Sequence, residues 1–144
     1  MTLYDITRTV STRTAVWPGD TPYSVTPQLN ITQGASVNLT TITLSPHTGS
    51  HADAYFHYTA DGAHPSAMPL EHYIGRARVV TVPRTDGALT PDEFAHVDLR
   101  ACERLLIHSH VSNLPDEVWP LTFPYLSVAL VEHLAALGIR LIGL

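Results

Sequence analysis

Apolar and polar positions along the 144 residues mark out short strand-like runs, turn-rich connections and one helical stripe near the end. Residues 37–44 are rich in Thr and β-branched side chains and predict a strand. Its apolar parity shifts between Val37/Leu39 and Ile42/Leu44, so either both faces are buried or a bulge intervenes. Residues 78–82 predict another strand, stopped by Pro83. Thr90-Pro91-Asp92-Glu93 places a capping residue, then Pro at the first helical position and Glu at the third, which marks a short helix start. Residues 104–107 predict a strand with a long apolar face. Ser127 caps a predicted helix whose Leu130, Leu134 and Leu137 form one stripe and which Gly138 ends. The last residues, Arg140 to Leu144, are again apolar and strand-like. These alternating elements predict an α/β fold with a mostly buried sheet. With no repeat, low-complexity tract or linker, one continuous domain over 1–144 is the simplest organisation.

Composition narrows the function classes. Net charge is −5 with only 8 Lys plus Arg, so no basic stripe marks a nucleic-acid binder. Charged residues are 15% and hydrophobic ones 44%, which leaves apolar surface to be covered in an oligomer. The lone Cys102 excludes an internal disulfide, fits a reducing compartment and is expected as a small buried apolar residue. No run reaches a membrane-spanning length of about 18 apolar residues, and no basic-then-apolar leader opens the chain, so the expected protein is soluble, cytoplasmic and without a membrane partner.

The chemistry is concentrated in His47-Thr48-Gly49-Ser50-His51-Ala52-Asp53-Ala54-Tyr55-Phe56-His57. On a helix at roughly 100° per residue, His47 and His51 would share one face while Asp53 and His57 pointed to nearly the opposite one. In an extended segment all four odd-numbered positions project to one face, but a straight strand would spread them over roughly 30 Å, so the chain must bend. Gly49 supplies a hinge, and Pro46 argues against a helix interior. Imidazole nitrogen with carboxylate oxygen suits zinc, with manganese or iron as substitutes. Three protein ligands plus an open position is the catalytic pattern, which makes His47, His51 and Asp53 the ligand set and leaves His57 as general acid and base. A serine hydrolase is disfavoured, because no Gly-x-Ser-x-Gly elbow occurs and Ser50 lies between two candidate ligands.

The His-x-x-x-His-x-Asp-x-x-x-His run resembles the signature of the metal-dependent cyclase family. Leu3-Tyr4-Asp5-Ile6-Thr7, Val16-Trp17-Pro18-Gly19-Asp20-Thr21-Pro22, Leu44-Ser45-Pro46, His57-Tyr58, Pro69-Leu70 and Tyr73-Ile74-Gly75 resemble its bacterial kynurenine formamidase branch in particular. The resemblance implies a swivelling β/β/α fold, a homodimer and hydrolysis of N-formyl-L-kynurenine to L-kynurenine and formate in tryptophan breakdown. It also implies two zinc ions per subunit, with His47, His51 and Asp53 on the first, Asp53 bridging to the second, His57 as proton donor and acceptor, and Trp17 lining the substrate pocket. Read without the family, Trp17 is an ordinary core residue. Family members run on further and supply a His and a Glu to the second metal from that region. An apolar end such as Arg140 to Leu144 is normally buried against further structure, so the chain is expected to be a truncated piece with its second site in question. His96, Asp98, His108, His110 and His133 are the internal substitutes, and His108 and His110 would share one face of a strand, although ordinary strand roles suit them better. Two rival functions remain: a related hydrolase of another aryl or cyclic amide, with manganese in place of zinc, and an inactive metal-binding remnant.

Overall fold

Seven short strands and one α-helix make up the regular structure of residues 2–144, the part of the chain that this computed structural model describes, together with several 3-10 turns. In chain order the strands are β1 (Ser24–Leu29), β2 (Leu39–Thr43), β3 (Arg78–Thr81), β4 (Gly87–Leu89), β5 (Arg104–His108), β6 (Pro124–Leu126) and β7 (Leu141–Gly143), and α1 (Val128–Ala136) lies between β6 and β7. The chain forms two compact units, one running to Pro65 and completed by Pro115–Trp119, the other made of Ser66–Leu114 and Pro120–Leu144. Neither unit is one contiguous stretch.

The second unit is a small α/β arrangement. β5 is the centre of a parallel sheet of order β3-β5-β7, with Val80 opposite Ile107 and Leu105 opposite Ile142. β4 and β6 make a separate parallel pair. Ser127 accepts from the Leu130 N–H at 3.1 Å and starts α1, as the sequence predicts. Leu130 and Leu134 are fully buried, and they join Val80, Val82, Leu89, Phe94, Leu99, Leu105, Ile107 and Ile139 in the core. Cys102 is buried in the same cluster. The Thr90 start leads into a 3-10 turn, Pro91–Phe94, held by a capping box in which Glu93 accepts from the Thr90 N–H at 2.6 Å and also pairs with Arg84. Arg104 is a buried cation satisfied by the carbonyls of Glu71 and His72 and by the Glu103 carboxylate. Gly75, at φ +142, allows that guanidinium its place, because a Cβ there would lie 2.6 Å from Arg104 Nη1.

The first unit carries no such core. β1 and β2 pair antiparallel, with Val25 opposite Ile42 and Leu29 opposite Leu39, and all their residues are exposed. Of the two readings of β2's shifted parity, burial of both faces is thereby overturned, and the register shift between Pro27 and Leu29 places an irregularity on the partner strand. The expected mostly buried mixed sheet is also corrected: three small sheets, each wholly parallel or wholly antiparallel, take its place, and the exposed β1–β2 pair stays apart from the strands that carry the buried apolar residues. Polar closures shape this unit. Thr14, buried, accepts from the Ser11 N–H at 2.8 Å and donates to the Thr9 carbonyl at 3.1 Å. Arg8 pairs with Asp116 at 2.9 Å, and the Ala15 N–H donates to the Asp116 carbonyl at 2.8 Å, which ties the N-terminal stretch to Pro115–Trp119.

Candidate metal centre

β2 ends at Thr43, and the chain turns at once. The Thr48 N–H donates to the Ser45 carbonyl at 3.1 Å and the His47 N–H donates to the buried Ser45 hydroxyl at 3.2 Å, so a tight turn rather than a strand presents His47. Gly49 follows at φ +69, where a Cβ would also lie 2.8 Å from Val10 Cγ2. Glycine meets both demands, one conformational and one steric. The bend brings His51 back so that its Nδ1–H donates to the Gly49 carbonyl at 2.9 Å. A carbonyl can only accept, so the His51 proton sits on Nδ1 and the Nε2 lone pair is turned toward His47 Nδ1.

Three donor atoms converge as a result. His47 Nδ1 lies 3.1 Å from His51 Nε2 and 3.1 Å from Asp53 Oδ1, and His51 Nε2 lies 3.5 Å from Asp53 Oδ1. A tetrahedral ion bonded at about 2.0–2.1 Å holds its ligands roughly 3.3–3.4 Å apart, so the triangle has the size of one tetrahedral face. Asp53 Oδ1 is buried without a hydrogen-bond partner among the described residues, despite its short distances to both imidazoles. An orphaned carboxylate oxygen beside two converging imidazole nitrogens is what a bound cation would satisfy. The residues present therefore fit a divalent metal, and among the described residues this is the one such cluster. All three side chains remain about a third exposed, at 36%, 33% and 28%, which leaves the open side that a catalytic site needs.

The other carboxylate oxygen is engaged. Tyr58 donates its hydroxyl to Asp53 Oδ2 at 3.1 Å. Partial burial, then this hydrogen bond and the Asp53 charge, hold the Tyr58 phenol above the usual tyrosine range, so it stays a donor at neutral pH. His57 is carried on the 3-10 turn Tyr55–His57, its ring centroid 4.3 Å from that of His47 and 4.7 Å from that of Tyr58. It stands beside the triangle and is not one of the three converging groups. The expectation that one extended face would gather all four positions is thus corrected: turns and bends gather His47, His51 and Asp53, and His57 sits on a separate helical turn. On the other side of His47, Asp20 reaches the Ser45 hydroxyl, and this hydrogen bond, with one from the Thr21 N–H and the nearby His47, holds its carboxyl below the usual range.

A family model described as "Putative cyclase" matches residues 4–144. The chain belongs to the cyclase family. Among solved structures, this cyclase chain is similar to a potential metal-dependent hydrolase with cyclase activity, at 22% identity and a TM-score of 0.77, over 96% of this chain and 65% of that one. It is similar also to a predicted metal-dependent hydrolase from Bacillus stearothermophilus, at 23% identity and a TM-score of 0.75, over 96% of this chain and 66% of the other. The chain spans just under two thirds of each. At these identities the likeness establishes a shared mixed α/β fold.

The remaining candidates of this cyclase-family chain are placed as follows. Trp17 is 59% exposed and packs edge-to-face on Trp119 at 5.5 Å, so it is no core residue. His96, Asp98 and His133 line a cavity of about 360 Å³ within the second unit, without forming a ligand set there. His108 ends β5, and Ser109 then caps a 3-10 turn, His110–Asn113, so His108 and His110 do not share a strand face. Tyr58, Asp20, Ser45 and Trp119 were given no role by the sequence. Tyr58 had the best signal, an aromatic hydroxyl immediately after the His57 position. No helix among the described residues is long and apolar enough to cross a membrane.

Proposed function

We propose that this protein is a metal-dependent amide hydrolase that converts N-formyl-L-kynurenine to L-kynurenine and formate. The observation that carries the reading is the triangle of His47 Nδ1, His51 Nε2 and Asp53 Oδ1, sized for one ion, with the His57 imidazole beside it. Zinc, or manganese in its place, would be held by these three atoms and would supply Lewis acidity and a bound water acidic enough to attack at neutral pH. The chain's own groups do the rest. The new bond joins a water oxygen to the formyl carbon, and the bond to the aryl nitrogen breaks with its electron pair leaving on nitrogen. His57 accepts the proton that the attacking water gives up, and because an anilide is a poor leaving group it delivers that proton to the nitrogen as it departs. Trp17, stacked against Trp119, offers an aromatic wall for the substrate ring. The resemblance of Trp17-Pro18-Gly19-Asp20 and His57-Tyr58 to the formamidase branch supports this substrate over others.

Metal-stripped protein reloaded with zinc should release kynurenine from N-formylkynurenine, and a chelator should stop it. A chain that holds zinc yet releases no kynurenine would overturn the substrate assignment. The second reading, another aryl or cyclic amide, is favoured by the cyclase description of the family, since the metal triangle does not itself select a substrate. A panel that includes cyclic imides separates the two: faster opening of a ring than release of kynurenine would establish the second.

A further inference from the structure

We propose that Trp119 is a specificity-determining residue, the second wall of an aromatic corner that, together with Trp17, selects a substrate with a planar ring. The inference rests on the reading of Trp17 as a substrate wall and adds a residue to it. The two indoles are far apart in sequence, yet their ring centroids lie 5.5 Å apart with the planes at 78°. The contact buries neither of them: Trp17 is 59% exposed and Trp119 37%. A tryptophan pair buried on all sides is core packing, whereas a pair left this open presents apolar ring surface at an angle. A planar ring laid on one indole face meets the other indole nearly at right angles, so it makes one stacked and one edge-to-face contact. Both are geometries that aromatic pairs favour, and a puckered ring of the same size makes neither.

Several contacts deliver Trp119 to this place. Pro115–Trp119 belongs to the first unit although the chain on either side of it belongs to the second. Arg8 and the Ala15 N–H hold Asp116, at 2.9 Å and 2.8 Å, Arg13 pairs with Glu117 at 3.1 Å, and the Val118 N–H closes a turn onto the Pro115 carbonyl at 3.0 Å. Trp17, for its part, is joined to the metal triangle by a chain of hydrogen bonds. The Asp20 N–H donates to the Trp17 carbonyl at 2.9 Å, the Asp20 carboxylate accepts from the Ser45 hydroxyl, and that hydroxyl accepts from the His47 N–H at 3.2 Å. The corner and the first metal ligand are therefore held by one connected set of turns within the first unit.

Two ketones that the protein cannot hydrolyse test the corner on the zinc-loaded chain: acetophenone, with a planar ring, and cyclohexyl methyl ketone, with a puckered ring of the same size. In calorimetric titration the wild type should bind acetophenone about two- to tenfold more tightly, the range that one aromatic contact gives. Trp119→Phe should keep most of that preference and Trp119→Leu should lose it, with zinc content unchanged in both. Trp17 and Trp119 are the chain's two tryptophans, so acetophenone should also quench the emission of Trp119→Phe, in which Trp17 is the sole indole. A preference undiminished in Trp119→Leu would overturn the proposal and leave Trp17 as a wall on its own. Loss of zinc together with the preference in Trp119→Leu would overturn it too, since it would report a loosening of the connected turns. A wild type that binds neither ketone, or both equally, would overturn the corner and the role of Trp17 with it. The substrate assignment fails separately: a wild type that releases no kynurenine, yet loses its ring preference on Trp119→Leu, would support the corner and overturn N-formylkynurenine alone.

Discussion

Each residue of the buried apolar cluster, from Val80 to Ile139, belongs to the second unit, whereas the buried side chains described in the first unit are Ala54 and three hydroxyl residues, Thr14, Ser45 and Thr48. The second unit follows the usual logic of packed layers, in which apolar area removed from water supplies most of the stabilisation. In the first unit, hydrogen-bonded turns and ion pairs set the shape, and the candidate ligands sit on a turn and on the irregular chain that follows it. A two-stranded hairpin with both faces exposed contributes little on its own. The unit with the chemistry is thus the one whose order depends most on what its polar groups bind, and metal binding of that kind couples to folding.

The largest test of the contrast is by truncation. Leu105→Ala removes a fully buried side chain at the centre of the core and should cost about 2–5 kcal/mol in denaturant unfolding. Ile42→Ala on β2, where the side chain is 56% exposed, should cost within about 0.5 kcal/mol. Equal losses would break the comparison. Zinc should act the other way round. At a hundredfold excess over its dissociation constant it should stabilise the protein by about 2.7 kcal/mol, and hydrogen exchange should slow most in residues 45–58 and least in β5. Uniform slowing along the chain would show that the site does not order its surroundings. The smallest effect concerns Glu93, whose carboxyl is lowered from 4.5 to about 2, first by the Thr90 N–H and then by Arg84. A depressed folded-state value contributes stability that is present above 4.5 and is lost as pH falls through about 2. The stability gap between wild type and Glu93→Gln should therefore be largest near neutral pH and shrink between pH 4.5 and 2. A gap independent of pH would show that the capping box does not need the charge.

What was legible in the sequence follows the same division. In the second unit spacing decides structure: Leu130 and Leu134 of the predicted stripe lie buried on α1 with Leu137 as its C-cap, the runs at 78–82 and 104–107 became β3 and β5, and Thr90-Pro91 opened a helical turn. In the first unit β2 was readable but its partner β1 was not, because Pro27 interrupts a run of weak alternation. The three converging donors were legible as a set, and the need for a bend at Gly49 with them, yet the segment reaches its geometry through turns that no side-chain period describes. The hold of Tyr58 on Asp53 left no periodic signature either, since it depends on where a 3-10 turn aims one phenol. The two-unit division was hidden because Pro115–Trp119 returns to the first unit with no change of composition.

The claim at the centre is that His47, His51 and Asp53 hold one metal ion and that His57 stands outside the ligand set. Zinc content after equilibrium dialysis tests it most directly, on wild type and on His51→Ala, Asp53→Ala and His57→Ala. The account predicts one zinc per chain in wild type and in His57→Ala, and little or none in the other two. Equal loss of zinc in all three variants, or none bound by the wild type, would contradict it.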